Sequence, residues 1–145
     1  MSLETTLAEL EPMLYDFNYE VFLRAYPVSL QPGSSTAAHV AAALGSFATL
    51  ARETESSWAE LLAEVEECLR YEGDSSSGPK PAVLKSAAFN ERVARLKTEL
   101  RSAAFGQRVT RVQILEGHPA YPVFWDFTYV VVGQNSFVLL GSSSD

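Results

Sequence analysis

The sequence predicts a single α+β domain, residues 1–145, in which two to three main helices pack on one face of a largely antiparallel sheet of about four strands. Residues 121–140 hold two β-type runs around a Gly-Gln-Asn-Ser turn at 133–136, a pattern typical of a hairpin. Residues 13–26 alternate apolar and polar side chains, which is typical of a half-buried strand. Apolar residues at steps of three and four between residues 37 and 103 indicate amphipathic helices.

The length and composition are typical of a globular protein that forms its own hydrophobic core. The chain has 145 residues, 47% of them hydrophobic and 20% charged, and its single cysteine excludes an internal disulfide. No apolar run approaches the roughly 20 residues of a membrane helix, and the first residues lack the basic and apolar regions of a secretory signal. We therefore expect a cytoplasmic protein that does not bind membranes.

The first elements in the chain are expected to be a short helix and a strand. Three leucines share one side of the helix, namely Leu3, Leu7 and Leu10, and Pro12 is expected to limit it. In the strand at 13–26, the odd-numbered side chains are apolar and share one face, which predicts that Phe17 lies in the core.

The middle of the chain is expected to form three helices. The first covers residues 37–51, and the second begins near Ser57, which has capping-box spacing with Glu60. Residues 73–81 form a turn-rich loop that we expect to be the most mobile part of the interior chain. The third helix follows, with its apolar stripe between residues 89 and 103.

Three strands are expected to complete the sheet. The first covers residues 108–116, and the aromatic strand follows it with Trp125 and Phe127 on the side that faces the helices. If the connecting turn is centred between residues 118 and 119, Arg111 lies opposite Asp126 as a cross-strand ion pair. An aromatic-Asp-Phe-polar-Tyr pattern occurs at both 15–19 and 125–129, and shared strand geometry explains it more simply than duplication.

Charge is unevenly distributed along the chain. Residues 1–79 carry 13 acids and 3 bases, whereas residues 80–111 carry 8 bases and 2 acids, within a net charge of −7. The simplest interpretation is that a basic helix lies beside an acidic one in the same fold, and the alternative is that the basic residues bind an anion or RNA. Because the whole chain would repel a phosphate backbone and no nucleic-acid-binding motif is present, we expect no nucleic-acid partner.

Motifs that specify a reaction are missing. The sequence has no phosphate-binding glycine loop, dinucleotide fingerprint, nucleophile elbow or zinc-protease motif. With one cysteine and two histidines, a Cys/His zinc site is nearly excluded, and no metal or cofactor is expected. His118 with Glu116, Tyr121 and Asp126 is a conceivable acid–base cluster, but an exposed loop histidine is the simpler reading. Structural roles are likewise favoured for His39 and Cys68.

The function expected from these features is that of a non-enzymatic interaction or adaptor module. In general character only, it resembles small acidic bacterial proteins such as immunity proteins. The expected partner is another protein or a second copy, which includes a possible homodimer. The alternative is a small-molecule-binding protein or enzyme with an aromatic pocket between sheet and helices. The candidate binding residues are Asp16, Asn18, Glu20, Arg111, His118, Tyr121 and Asp126.

Overall fold

One sheet with helices on both faces forms the structure, a computed structural model that describes residues 2–145. The elements in chain order are α1 (Ser2–Leu14), β1 (Glu20–Pro27), α2 (Thr36–Leu44), β2 (Thr49–Ser56), α3 (Trp58–Leu69), α4 (Pro81–Leu84), α5 (Ala87–Ala104), β3 (Arg108–Glu116), β4 (Asp126–Val132) and β5 (Phe137–Ser144). No helix in this part of the chain combines the length and the apolar character needed to cross a membrane.

The five strands lie in the order β1-β5-β4-β3-β2, and every neighbouring pair is antiparallel. The predicted fold class, α+β with an antiparallel sheet, is therefore confirmed. The fifth strand, which the sequence does not predict, is β2, and its side chains are almost all exposed. Because a strand exposed on both faces needs no apolar alternation, the pattern of residues 49–56 does not reveal it.

The core lies on the sheet face that α1, α3 and α5 cover. It contains Tyr19, Val21 and Leu23 from the start of the sheet, and Phe127 and Tyr129 from β4. A smaller cluster lies on the opposite face under α2. Its buried members are Val28, Val40, Val112, Val130 and Val138. The central strands β4 and β5 are therefore covered on both sides.

The predicted strand at 13–26 is wrong in its first half. The apolar stripe of α1 continues to Leu14, one helical step beyond Leu10, so the helix passes through Pro12. A tight turn follows, in which the main chains of Asp16 and Tyr19 exchange two hydrogen bonds of 3.0 and 3.1 Å. Phe17 lies in this turn and is 80% exposed, so its predicted place in the core is also wrong.

The predicted helix over residues 37–51 is half right. Ser35 caps it by accepting a hydrogen bond from the Ala38 amide at 3.0 Å, but the helix ends at Leu44. Gly45 follows with a φ of 117°, a value that side-chain-bearing residues rarely adopt. The chain reverses there and enters β2, so Ala51 belongs to a strand.

The later elements lie close to where the sequence predicts them, except that the aromatic strand begins only at Asp126 and residues 121–125 belong to the loop before it. Ser57 caps α3 by accepting from the Glu60 amide at 3.2 Å, and Ser86 caps α5 by accepting from the Phe89 amide at 3.2 Å. The hairpin pairs Val131 with Phe137. In the loop after α3, Asp74 accepts hydrogen bonds from the amides and hydroxyl of the serines at 76 and 77, and these bonds lower the pKa of its carboxyl group. The mobility of residues 73–81 stays a prediction.

The basic residues of α5 lie against acidic helices, as the simpler interpretation of the charge pattern predicts. Arg92 and Arg95 both pair with Glu9 of α1. Lys97 pairs with Glu66 of α3 at 2.8 Å. These ion pairs join the three helices that cover the main core.

The two edges of the sheet differ in exposure. On β1, the Leu23 amide donates to the carboxylate of Glu11 in α1 at 2.6 Å, and Arg24 pairs with the same carboxylate. The side chain of Glu11 therefore occupies a position where a further strand would pair. On β2, the edge is irregular instead, because its register with β3 shifts between Thr49 and Arg52.

Replacing Phe127 by alanine is expected to lower the free energy of unfolding by about 3–5 kcal/mol, because the ring is fully buried. The matched control is Phe17→Ala, which removes the phenylalanine of the same sequence pattern from an exposed turn. It should change the free energy by no more than about 0.5 kcal/mol. Urea unfolding of both variants measures the two values. Equal effects would contradict the assignment of these rings to core and surface.

Candidate functional site

Three connecting segments meet at one end of the sheet, where β1, β2 and β4 begin and β3 and β5 end. They are the turn at residues 15–19, the connection at residues 45–48 and the loop at residues 117–125. We call these segments, together with the strand ends beside them that include Glu20, Leu115, Glu116 and Asp126, the loop end. Six of the seven candidate binding residues predicted from the sequence lie in these segments or at the strand ends beside them, and Arg111 lies further along β3.

The loop end carries most of the large apolar side chains that are exposed in the described part of the chain. Six of the eight lie there: Tyr15, Phe17, Phe47, Leu115, Tyr121 and Val123. Tyr121 and Phe17 are the most exposed, at 82% and 80%. Because apolar side chains concentrated in one region often mark an interaction site, the loop end is the leading candidate. Leu30 and Phe105 lie outside it.

A layer of rings, of which Tyr19 is buried and the others are partly buried, lies at the base of this region. The indole Nε1 of Trp125 donates a hydrogen bond to the Tyr19 hydroxyl at 2.8 Å. The ring of Tyr19 lies 5.6 Å from that of Phe124 and 6.0 Å from that of Tyr71. Burial of Tyr19 raises the pKa of its hydroxyl to about 12, so it stays protonated at neutral pH. The exposed residues therefore project from a packed base.

The aromatic residues of the predicted small-molecule pocket pack against each other. Trp125 stacks on Phe127 with 6.0 Å between ring centres, and Phe127 lies 6.4 Å from Tyr129. Tyr19, Phe127 and Tyr129 are all buried. These rings fill core space between sheet and helices, so the packing gives no support to a ligand pocket among them.

His118 lies in the loop after β3 and is half-buried. Its Nδ1 lies 2.8 Å from the Ala120 carbonyl oxygen and 3.0 Å from the Ala120 amide nitrogen, while its Nε2 is buried without a partner. Burial lowers the pKa of the imidazole, although the Ala120 backbone and the charge of Asp126 act in the opposite direction. The ring is therefore neutral at pH 7 and holds the loop, while Tyr121 nearby in sequence is exposed.

The candidate carboxylates are separated by the sheet order. Asp16 and Glu20 are exposed beside the edge strand β1, whereas Asp126 is half-buried at the start of β4, and β5 lies between these strands. Asn18 adopts a positive φ of 55° and donates to the Ser76 carbonyl at 3.4 Å. Within residues 2–145, no group of three or more metal-binding side chains is placed to hold a metal ion.

The strands β3 and β4 separate beyond the pair Arg111–Tyr129. The predicted pairing of Arg111 with Asp126 is therefore wrong. Arg111 lies opposite Tyr129, which comes three residues after Asp126 in β4. Its guanidinium forms a two-point ion pair with Glu64 of α3, with Nε–Oε1 and Nη2–Oε2 distances of 2.9 and 3.1 Å. It also donates to the main-chain oxygen of Asp126 at 3.2 Å. The guanidinium thereby satisfies backbone that the neighbouring strand leaves unpaired.

Glu64 joins Arg111 to Tyr129, whose hydroxyl donates to the same carboxylate. Burial and this hydrogen bond raise the pKa of the Tyr129 hydroxyl well above its usual value. Burial opposes the charge of Arg111, but the contacts with Glu64 leave the pKa of its guanidinium raised overall. A groove of about 370 Å³ opens beside this cluster toward β2. Glu64, Arg111 and Tyr129 are therefore paired with one another through the ion pair and the hydrogen bond to Glu64.

Cys68 and His39 hold structural positions. Burial raises the pKa of the Cys68 thiol to about 12, and the charges of Glu64 and Glu67 act in the same direction. At neutral pH the residue is a thiol and a poor nucleophile. His39 is buried in α2, and its Nδ1 lies 2.8 Å from the Ser35 carbonyl oxygen.

No protein-family model, curated protein or solved structure matches this chain. The sequence indicates Tyr121 as a candidate binding residue but does not indicate that Phe17, Phe47 and Leu115 are exposed. For Phe47 the available signal was Gly45, which could have ended the helix before it.

Replacing Glu64 by alanine is expected to lower the free energy of unfolding by roughly 1–3 kcal/mol. The variant leaves the guanidinium of Arg111 and the hydroxyl of Tyr129 without their shared acceptor. Glu67→Ala is the matched control, because Glu67 is exposed on the same helix, and its effect should stay within about 0.5 kcal/mol. Chemical unfolding decides the matter, and a Glu64 variant as stable as the Glu67 variant would show that the cluster contributes nothing.

Alkaline pH is expected to destabilise the protein partly through Cys68. A group with a raised folded-state pKa stabilises the fold below its unfolded pKa, and this contribution is lost as pH rises through the folded value. For Cys68 the window runs from about 9 to about 12. Unfolding free energies from about pH 8 to about pH 11 should therefore fall less steeply in Cys68→Ala than in the wild type. Parallel curves for the two proteins would contradict this assignment.

Proposed function

We propose that this protein is a non-enzymatic interaction module that binds another protein through its loop end. The observation that carries the proposal is the concentration of six exposed, large apolar side chains in that region. Tyrosine is among the residues that contribute most to protein–protein binding, because it buries a large rigid surface and retains a polar tip. Tyr121 and Phe17, as the most exposed of the six, are the proposed anchors.

Charge at the loop end indicates the chemistry of the partner. Residues 15–20, 45–49 and 116–126 contain four carboxylates and no lysine or arginine. These are Asp16, Glu20, Glu116 and Asp126. The lowered pKa of His118 keeps that ring neutral, so it does not offset them. A partner with an apolar centre surrounded by basic residues would complement this surface.

A partner of different sequence fits this surface better than a second copy does. In a symmetric dimer the same patch would face itself, so the four carboxylates of one copy would meet those of the other. Like charges brought together in this way oppose association. A homodimer through the loop end is therefore the less favoured form of the proposal.

The titratable groups favour binding over catalysis. Arg111, Glu64 and Tyr129 are engaged with one another. The Nε2 atom of His118 is covered and without a partner. Cys68 carries a thiol whose pKa is raised away from neutrality. Catalytic groups need to reach a substrate with a pKa near the working pH, and this arrangement does not provide that.

The test compares a loop-end double variant, Phe17→Ala with Tyr121→Ala, and a matched variant, Leu30→Ala with Phe105→Ala. Each pair removes two exposed apolar side chains, but the second pair lies outside the loop end. Immobilised wild-type and variant proteins are exposed to native extract, and each retained protein is quantified at several salt concentrations. Binding of a basic protein should weaken about 30-fold or more in the loop-end variant and be retained by the matched variant.

Equal retention by both variants would overturn the proposal, and so would the retention of no protein at any salt concentration. Sedimentation of the wild type tests whether the protein binds a second copy of itself. A dimer that the loop-end variant abolishes would identify a second copy as the occupant of the loop end. That outcome would refute the binding of a different protein at this surface.

A further inference from the structure

A second concave region lies at the end of the sheet opposite the loop end. It is a half-open groove of about 820 Å³ between the start of α1, the last turns of α5, the end of β1 and the β4–β5 turn. Its volume falls within the roughly 300–1,000 Å³ of small-molecule sites. The groove shares no residue with the loop end, so it is independent of the function proposed there.

The groove combines an apolar base with uncharged polar walls. Leu3, Val28 and Phe137 contribute buried apolar surface. Hydroxyl and amide side chains from α5 and the β4–β5 turn line the walls, among them Ser102, Gln134 and Asn135. Such groups both donate and accept hydrogen bonds, so they suit a ligand with its own polar substituents.

The charged side chains that line the groove are both acidic. They are Glu4 and Glu99, and none of the lining residues is a lysine, arginine or histidine. The two acidic side chains differ in burial, because Glu4 is exposed whereas Glu99 is half-buried. An anionic ligand would therefore meet repulsion here with no compensating cation.

In the part of the chain that the structure describes, the fold leaves one oxygen of the Glu99 carboxylate without a hydrogen-bond donor and gives the side chain no ion-pair partner. Its Oε1 atom is buried and has no hydrogen-bond partner. Within residues 2–145, no basic side chain lies within ion-pair distance of it, although Arg92, Arg95 and Lys97 of the same helix all pair with other acids. Covering an acceptor without supplying a donor is costly, and the cost is greater for an ionised group. A cation delivered by a ligand would compensate this carboxylate.

We infer that the groove binds a small organic cation, a primary or secondary amine, whose ammonium group pairs with the carboxylate of Glu99. The carbon chain of the ligand lies over the apolar base, and its polar substituents bond to the hydroxyl and amide side chains of the walls. The ammonium supplies the positive charge that the lining of the groove lacks.

The test titrates spermidine, as the probe, into isotopically labelled protein at fixed ionic strength and follows backbone amide resonances. Saturable shifts are expected at groove residues such as Ser102 and Asn135. Glu99→Gln should weaken binding at least about tenfold, because the amide keeps the shape of the side chain but not its charge. Inorganic phosphate should produce no saturable shift at these residues.

Glu91→Gln is the matched control, since Glu91 is exposed on the same helix and does not line the groove. Each variant removes one negative charge, so a general attraction between spermidine and an acidic protein would weaken equally in both. Equal weakening, or shifts spread over the whole surface, would overturn the inference. So would the absence of saturable shifts in the wild type.

A thermal measurement separates a folding effect from a binding effect. Without ligand, Glu99→Gln should melt at the same temperature as the wild type or higher, because it removes an uncompensated charge. Spermidine should raise the melting temperature of the wild type and of Glu91→Gln but not that of Glu99→Gln. A variant that melts lower without ligand would show that Glu99 is satisfied by the fold and would contradict the inference.

Discussion

Burial of the central hairpin on both faces is the constraint on which the rest of the structure depends. Strands β4 and β5 are almost wholly buried, with α1, α3 and α5 over one face and α2 over the other. Gly141 of β5 is required for this packing, because a Cβ at that position would lie 2.4 Å from the ring of Phe127. The missing side chain lets a large ring lie flat across the neighbouring strand, and the ring then fills the centre of the main core.

The sequence predicts this hairpin well because a strand buried on both faces reads as a continuous run of β-branched and aromatic residues. It predicts α3 from a serine cap and an apolar stripe, and α5 from its apolar stripe. It fails at residues 15–19, where a tight turn carries the same aromatic-Asp-Phe-polar-Tyr pattern as the buried strand. Alternation shows which side chains are apolar, but packing against the rings of Tyr71 and Phe124 covers Tyr19 and leaves Phe17 exposed. Strand β2 is missed for the converse reason, since most of its side chains are exposed and only Leu50 packs against the smaller cluster.

The residues of the candidate site likewise divide into those that the sequence predicts and those that it does not. That residues from both ends of the chain meet at the loop end depends on the strand order, which places β1 beside β5, and a single sequence does not give that order. Asp126 and Tyr121 could be named because they border a predicted strand. The exposure of Phe17 and Phe47 could not, because each lies inside a segment whose apolar pattern indicated burial. The partner of Arg111 was missed because Glu64 comes from a helix 47 residues away in sequence, and pairing rules within a sheet do not include helices.

The way the basic residues are used explains why both candidate surfaces are acidic. Six of the eleven basic side chains form ion pairs in the described part of the chain, and they do so with only four carboxylates. Because Glu9 and Glu66 each pair with two bases, most of the 18 acids are left without a basic partner. The pairs concentrate positive charge between the helices, where it holds α1, α3 and α5 together. Four of the acids without a basic partner lie at the loop end and two line the groove, so the local charge at each proposed surface favours a cationic ligand or a basic partner. The same internal ion pairs that assemble the helical layer thus leave both proposed surfaces without a lysine or arginine.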